Sequence, residues 1–461
     1  MDSSRRDFLR RSSIFAAGFF SLRSFCNQSS LAGDAHIGGP YGPLIDDLNG
    51  VLDLPAGFSY RVISTSGKPM SDGLFTPGLP DGMAAFPGPD GLTILVRNHE
   101  LMPFQGPSAF GKFNELFGKV DIKKIYDPGH GLTPHNGGTT TVVYDTREQK
   151  VVRDFLSLVG TTRNCAGGPT PWNSWITCEE SVVKEGQGTD GDYRSERNHG
   201  YNFEVPATWE IILHEAVPLV DMGRFYHEAV AVDPETGIVY ETEDREDGLI
   251  FRFIPNKPGK LHDGGKLQVL KFREAPSIDT RNWKERTVEV GKQHEVEWLD
   301  ISDVTSPDDD LRYRGFEAGA ARFARGEGMW YTDGQVFIAC TNGGRAQTGQ
   351  IWRLIPAKVG SGEADKLELF IEPNDASILE AADNMTISAW GDIIACEDHD
   401  HGARIVGITL DGRIYPFAKN HLQTEFTGAT FSPDGSTLFV NLQVRGMTVA
   451  ITGPWHESAA S

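Results

Sequence analysis

Residues Arg163–Glu180 read Arg-Asn-Cys-Ala-Gly-Gly-Pro-Thr-Pro-Trp-Asn-Ser-Trp-Ile-Thr-Cys-Glu-Glu. Cys165 leads into a glycine turn, Gly167-Gly168-Pro169. Trp172-Asn173-Ser174 gives a second turn signal, and Trp175-Ile176-Thr177 has the aromatic and β-branched character of a strand. That strand ends on Cys178, Glu179 and Glu180. Successive strand side chains alternate between faces. At most one of the two glutamates therefore packs sideways, unless the pair lies past the strand end. Two carboxylates beside a glycine turn are costly to bury unless paired or bound to a metal. The stretch points to a metal site; the competing reading is a solvated loop with a buried structural cysteine.

The same turn, short strand and polar end recur along the chain, giving six copies in all. Upstream, Pro89-Asp90-Gly91 precedes the strand 92–96 and Arg97-Asn98-His99-Glu100. Downstream, the turn 233–237 precedes 238–240 and Glu241-Thr242-Glu243-Asp244. Asp333-Gly334 precedes 335–339 and Cys340-Thr341-Asn342. Trp390-Gly391-Asp392 precedes 393–395 and Cys396-Glu397-Asp398. Pro433-Asp434-Gly435 precedes 436–440 and Asn441-Leu442-Gln443. Repeated supersecondary units mean a repeat architecture, and strands bounded by turn signals mean an all-β chain. The spacing fits four-stranded blades with insertions. The sequence predicts a six-bladed β-propeller with loop insertions, against a β-sandwich assembly. Equivalent strand ends in a propeller converge on one central mouth, which would gather Glu100, Glu179, Glu228 or Glu241, and Glu397. Residues 184–198 read as an exposed loop and 255–312 as a blade insertion.

A second feature recurs just ahead of four of these units. His227-Glu228 leads into an apolar strand, Arg325-Gly326-Glu327 precedes the fourth copy, Asp383-Asn384 the fifth, and Glu425 the sixth. A recurring acid at one topological place suggests a ring of oxygen ligands. Many hard oxygens suit Ca²⁺, and a thiolate added to carboxylates suits iron or zinc. Arg325 and Glu327 flank a glycine and project to one face of an extended segment. The carboxylate could hold a metal while the guanidinium forks onto phosphate oxygens; the alternative is a local ion pair. His227 reads more simply as a structural histidine. No Walker loop is present, and no GxGxxG follows a strand.

Net charge is −21 over 461 residues, which opposes nucleic acid phosphates and anionic membrane surfaces. No nucleic acid partner and no membrane span are expected. Ser4-Arg5-Arg6-Asp7-Phe8-Leu9-Arg10 carries the paired arginines of a Tat export signal, followed by an apolar stretch too short and polar to span a bilayer. Residues 1–32 are read as the Tat signal peptide and 33–461 as a single domain. The expected location is the periplasm or beyond it, with the Tat machinery as a partner and the mature chain a monomer. Four cysteines follow the signal, an even count that permits disulfides.

Together, Arg97-Asn98-His99-Glu100, the 164–180 segment N-C-A-G-G-x-T-P-W-x-x-x-x-T-C-E-E, His227-Glu228-Ala229 before an Asp-Pro turn, Arg325-Gly326-Glu327, Asp383-Asn384-Met385 and 426–441 resemble the PhoX alkaline phosphatase family. The resemblance covers most of the mature chain. It implies a six-bladed propeller around a cluster of iron and calcium that hydrolyses small phosphomonoesters. It places the iron-binding thiolate on Cys165 and carboxylate ligands on Glu179, Glu228 and Glu327. It makes Arg325 a phosphate contact, with Asn164 beside it as a second substrate contact; Cys165 and Arg325 then carry the catalysis. Repeat geometry adds Glu241, Asp383 and Glu397 to the metal set. Two departures stand out: Gly326 where the family motif has proline, and Arg163 where it has asparagine. Two other readings are a calcium-dependent propeller lactonase or esterase, and a non-catalytic ligand-binding propeller.

Overall fold

The computed structural model describes residues 39–188 and 194–455. The export signal expected at 1–32 lies outside them. Strands β1 (Leu44–Ile45) and β2 (Leu52–Pro55) pair with each other and are followed by β3 (Ser59–Thr65). A four-stranded antiparallel sheet then runs through β4 (Pro80–Pro87), β5 (Thr93–His99), β6 (Gly137–Asp145) and β7 (Lys150–Thr161). The quoted stretch folds into β8 (Asn164–Pro169) and β9 (Ser174–Glu179), which make a three-stranded sheet with β10 (Asn202–Pro206).

One meander comprises β11 (His227–Val232), β12 (Val239–Glu243), β13 (Ile250–Pro255) and β14 (Gly265–Phe272). After β15 (Gln293–Asp300) and the helix α1 (Leu311–Ala318) comes a second meander, β16 (Gly326–Thr332), β17 (Gln335–Cys340), β18 (Gln350–Ile355) and β19 (Asp365–Ile371). β15 pairs with β14 on one edge and β19 on the other, so both meanders join one nine-stranded sheet. The stretch 255–312, read from sequence as an insertion, thus supplies two regular strands.

β20 (Ala382–Ile387), β21 (Ile393–Glu397), β22 (Arg404–Ile408) and β23 (Ile414–Asn420) form the next sheet, extended by β2 and β1. The last comprises β24 (Phe426–Phe431), β25 (Thr437–Leu442) and β26 (Met447–Thr452), completed by β3 from the start of the domain. The fold is all-β with a propeller-like arrangement of five sheets. The first strands pack side by side in a closed ring, β4 on β8, β8 on β11, β11 on β16, β16 on β20, β20 on β24, and β24 on β4.

The turn chemistry read from sequence works as expected. Thr332 pairs with Gln335 across Asp333 (φ 45°) and Gly334 (φ 75°). Both central residues are left-handed, which makes Asp-Gly the preferred pair for a two-residue hairpin. Faces between sheets carry the apolar side chains; Ile338, Trp352, Phe323 and Leu354 share one core and are 0% exposed. Ile338→Ala, which empties part of that core without touching the mouth, is expected to cost about 2–5 kcal/mol in urea unfolding. Cys165, Cys178, Cys340 and Cys396 are all buried and free. Among the described residues no helix is long and apolar enough to cross a membrane.

Candidate metal centre

Each strand of the inner ring carries the same irregularity. The register with the second strand shifts between Pro80 and Met83, Asn164 and Gly167, His227 and Val230, Gly326 and Met329, Ala382 and Met385, and Thr427 and Thr430. In every case two residues oppose one, a β-bulge that bends the strand and re-aims a side chain. The first bulged residues are Asp81, Cys165, Glu228, Glu327, Asp383 and Gly428. The ring is tight at this level: a Cβ on Gly82 would meet Ala166 Cα at 2.6 Å, and one on Gly328 would meet the Asp383 carbonyl at 2.3 Å. Gly428 has φ +61°, and a Cβ there would meet the Asp81 carbonyl at 2.4 Å. The sixth position therefore offers no ligand, and Glu425 supplies the acid instead.

A second set comes from the residue just beyond each second strand: Glu100, Glu180, Asp244, Thr341, Asp398 and Gln443. With the bulge residues these form four linked groups whose ligand atoms lie within 4.8 Å of one another: Asp81-Glu100-Cys165, Cys165-Glu180-Glu228, Glu228-Glu327-Asp383 and Asp383-Asp398-Glu425. Cys165, Glu228 and Asp383 are shared, so the groups form one band. Gln443 donates to Asp81 Oδ2 (2.7 Å) and Glu100 Oε2 (2.9 Å), and Thr341 donates to Glu327 Oε1 (2.6 Å). Glu228 is 0% exposed, yet both its carboxylate oxygens lack a hydrogen-bond partner. An unpaired buried carboxylate is expensive, and the same atoms are well suited to a cation.

Two arginines edge this band. Arg163 binds Glu100 (Nη2, 2.7 Å) and Glu180 (2.7 Å). Arg325 forks onto Asp244 through Nε and Nη2, each 2.8 Å, and reaches Glu327 at 2.8 Å. Each precedes a bulge residue by two positions, with φ 49°. Neither uses Nη1 in these pairs, leaving it for an anion.

Burial and mutual repulsion dominate the electrostatics. Burial, Glu100 and Asp383 push Asp81 well above the carboxylate range. Burial, Glu327 and Asp383 do the same to Glu228. Glu327 and Glu425 rise strongly as well, and Asp383 is pushed up to about 7 by burial and Asp398. Burial, then Asp81 and Glu228, hold the Cys165 thiol protonated. Polyvalent cations resolve all of these at once, since bound thiolates and carboxylates are deprotonated. The donor set fits metal ions.

The structure brings Cys165, Glu228, Glu327, Asp383 and Arg325 together, with Glu100 and Glu425 in the same band, and places Glu179, Glu241, Glu397 and Asn164 elsewhere. Glu179 ends β9 and turns sideways, accepting from Thr162 N (2.9 Å), Gly200 N (2.8 Å) and His199 Nδ1 (2.6 Å). Glu180, one residue past the strand end, enters the mouth. Glu241 lies between sheets, bonded to Asn202 (2.9 Å) and 3.2 Å from His227. Glu397 is held by Arg404 and the Glu380 amide (2.9 Å); burial would raise it, but His399 and Arg404 keep it below its ordinary range. Asn164 is buried, bonded to Thr161 (2.6 Å) and Thr177 (2.9 Å), and does not reach the mouth. Asp81 escaped the sequence reading, although Asp81-Gly82-Met83 parallels Asp383-Asn384-Met385. Asp244 and Asp398 were read only as strand-end residues, and Arg163 only as a departure from the family motif; the two acids follow strand-end acids as Glu180 follows Glu179.

The alkaline phosphatase PhoX family matches residues 39–446. Among solved structures, PhoX of Pseudomonas fluorescens, described in complex with vanadate as a transition state analogue, aligns at 17% identity with a TM-score of 0.64, covering 88% of this chain and 96% of its own. It shares the fold. A gluconolactonase of Xanthomonas campestris aligns at 11% identity over 90% of this chain and 99% of its own, with a TM-score of only 0.33. A search of curated protein sequences returned no match. The family match runs through the whole ring of bulged strands, and the chain belongs to the alkaline phosphatase PhoX family of metal-dependent phosphatases.

Proposed function

We propose that the acidic band is the catalytic centre of a six-bladed propeller phosphomonoesterase that releases phosphate from small organic phosphoesters. The repeated bulge carries this reading, because it aims a ligand from five of the six inner strands at one axis. The nine-stranded sheet counts as two blades whose outer edges are bridged by β15, which gives six blades around the closed ring. Iron belongs at the thiolate end, with Asp81, Glu100, Cys165, Glu180 and Glu228. Calcium belongs at the all-oxygen end, with Glu327, Asp383, Asp398 and Glu425.

When bound, the cations supply charge neutralisation for the phosphoryl group and Lewis acidity at the attacking oxygen. The chain's own residues do the rest. Arg325 Nη1 donates to an equatorial phosphoryl oxygen, and the Asp244 fork fixes the guanidinium plane before substrate arrives. Arg163, held by Glu100 and Glu180, offers a second donor. Gln443 and Thr341 lock the rotamers of Asp81, Glu100 and Glu327, so the anionic ring is preorganised. The vanadate complex of the Pseudomonas fluorescens protein supports phosphoryl transfer in a site of this fold. A lactonase using calcium alone would leave Cys165 without a role. Residues 1–32 serve export through the Tat pathway, and the protein works as a periplasmic or secreted monomer.

The test is elemental analysis of protein exported through its own pathway, with p-nitrophenyl phosphate turnover on the same sample. Iron and calcium with phosphate release are expected. Calcium alone without release would end the phosphatase assignment for this site.

A further inference from the structure

A further layer of the ring lies next to the acidic band. In the first five inner strands, the carbonyl two residues before the bulge accepts from the amide just beyond the second strand. Glu100 N reaches Leu79 O (2.9 Å), Glu180 N reaches Arg163 O (2.9 Å), and Asp244 N reaches Tyr226 O (3.1 Å). Thr341 N reaches Arg325 O (3.1 Å), and Asp398 N reaches Ala381 O (2.9 Å). Just ahead of the sixth strand, Glu425 O stands 3.5 Å from Gln443 N. All six residues are half-buried, so they form the solvent-facing rim of the mouth. Around the closed ring of strands, Arg163, Arg325 and Glu425 take alternate corners, with Tyr226, Ala381 and Leu79 between them.

The two arginines are built alike. Each turns its Nε edge onto the acid of the preceding blade, Arg163 onto Glu100 Oε1 at 3.0 Å and Arg325 onto Asp244 Oδ1 at 2.8 Å. Each Nη2 takes a second acid, Glu180 at 2.7 Å or Glu327 at 2.8 Å. Their side chains are 32% and 33% exposed. Nη1 is the end left over in both. Because the arginines sit at alternate corners of a six-membered ring, they stand a third of a turn apart about its axis. Carboxylates on two sides hold each guanidinium in place before any ligand arrives.

Phosphoryl transfer has a matching symmetry. The attacking and leaving oxygens lie in line, and three equatorial oxygens share the charge. Those three also stand a third of a turn apart. Resting on the phosphomonoesterase reading, we propose that Arg163 and Arg325 hold two different equatorial oxygens, with the line of attack along the propeller axis, and that Arg163 thereby selects monoesters over diesters. A monoester presents three unsubstituted oxygens to the two guanidiniums and the Glu425 corner, which belongs to the all-oxygen ligand group. In a diester one of those oxygens carries a second ester group. Turned to the Arg163 corner, it forfeits a charge-assisted contact and presses its substituent against the rim. Leu79, Tyr226 and Ala381 offer no cationic donor, and the axial direction is left to the leaving group. The competing role for Arg163 is to neutralise Glu100 and Glu180 without touching substrate.

Crystals of the unaltered, metal-loaded chain grown with inorganic phosphate decide between the two. Arg163 Nη1 and Arg325 Nη1 on different phosphate oxygens are expected. Both on one oxygen, or Arg163 Nη1 away from the anion, overturns the proposal. In solution, Arg163→Gln and Arg163→Lys should each weaken inorganic phosphate as a competitive inhibitor about 10–100-fold at unchanged metal content. The Gln variant should lose about 100-fold in kcat/KM on p-nitrophenyl phosphate, while the slower bis(p-nitrophenyl) phosphate keeps its rate. Undiminished phosphate inhibition in the Lys variant, or equal losses on monoester and diester, would overturn the selection by Arg163. Should both variants lose metal, the phosphate-bound crystal stands alone as the test. Failure of the unaltered protein to turn over p-nitrophenyl phosphate would instead strike the phosphatase reading, and the crystal would still show whether Arg163 binds the anion.

Discussion

Alanine in place of Cys165 lowers phosphomonoester turnover at least ~100-fold and removes the metal bound at the thiolate end, while the fold persists. Cys165 belongs to two of the four linked groups, so its loss opens both the Asp81-Glu100 and the Glu180-Glu228 sides at once. Losing only a partner of a metal ligand already costs about 10–100-fold, and a ligand itself costs at least the upper end of that range. The substitution is sterically mild. Cys165 is 8% exposed, and deleting one sulfur from a packed site costs about 1 kcal/mol by the cavity argument. Iron content, turnover and the far-ultraviolet spectrum should be measured on one preparation. Full turnover in an iron-depleted variant, or full iron retention, would sink the assignment of Cys165 as a ligand. Serine at 165 is the useful companion: it keeps an oxygen of similar size but a far weaker ligand, and should fall close to alanine.

The repeat was legible because turn chemistry is local. Asp333-Gly334 specifies its hairpin from two residues, and six such signals at blade spacing imply a ring before any long-range contact is known. The position of the ligands was only half legible. Alternation gives parity but not the point where a strand stops. In Glu241-Thr242-Glu243-Asp244 the two glutamates share a face, and that face packs between sheets; Asp244, one step beyond β12, is the residue that enters the mouth. Glu179 against Glu180 and Glu397 against Asp398 divide in the same way. Of the bulge residues, Cys165, Glu228, Glu327 and Asp383 were legible from motif and recurrence and Asp81 was not, because an extra residue breaks the period that pattern reading relies on. β15 was illegible for a different reason. Its partners, β14 and β19, are set by which two edges the ring brings side by side, and no local signal in Gln293–Asp300 encodes that. The second arginine was visible as a departure from the family motif, but its pairing with Glu100 and Glu180 required the fold.

Stripping the metals from the mouth should make stability fall as pH rises, the reverse of the usual trend for a protein stabilised by ionised carboxylates. Without cations the band holds Asp81, Glu180, Glu228, Glu327 and Glu425 well above their ordinary range, burial being the largest cause in each and neighbouring acids adding to it in all five. A carboxylate raised in the folded state binds its proton more tightly there than in the unfolded chain. Its contribution is fully present below the unfolded value and is lost as pH climbs through the folded one. For Asp383, raised from 3.8 to about 7, the loss between pH 3 and pH 8 is on the order of 4 kcal/mol. His199 acts in the same direction, since its raised value of about 9 favours the folded state at low pH. Glu397, lowered by His399 and Arg404 against its burial, acts the opposite way; that contribution is already saturated above about pH 5. The metal-loaded protein has its carboxylates neutralised by cations and should keep only the smaller fall that His199 contributes. Thermal melts of chelator-treated and loaded protein at pH 5 and pH 8 measure the difference directly. The stripped protein should melt higher at pH 5 than at pH 8, with the gap between stripped and loaded protein widest at pH 8. Equal midpoints for the stripped protein at the two pH values would mean that the buried acids are not held apart by cations, and the band would then be an ion-pair network centred on Arg163 and Arg325.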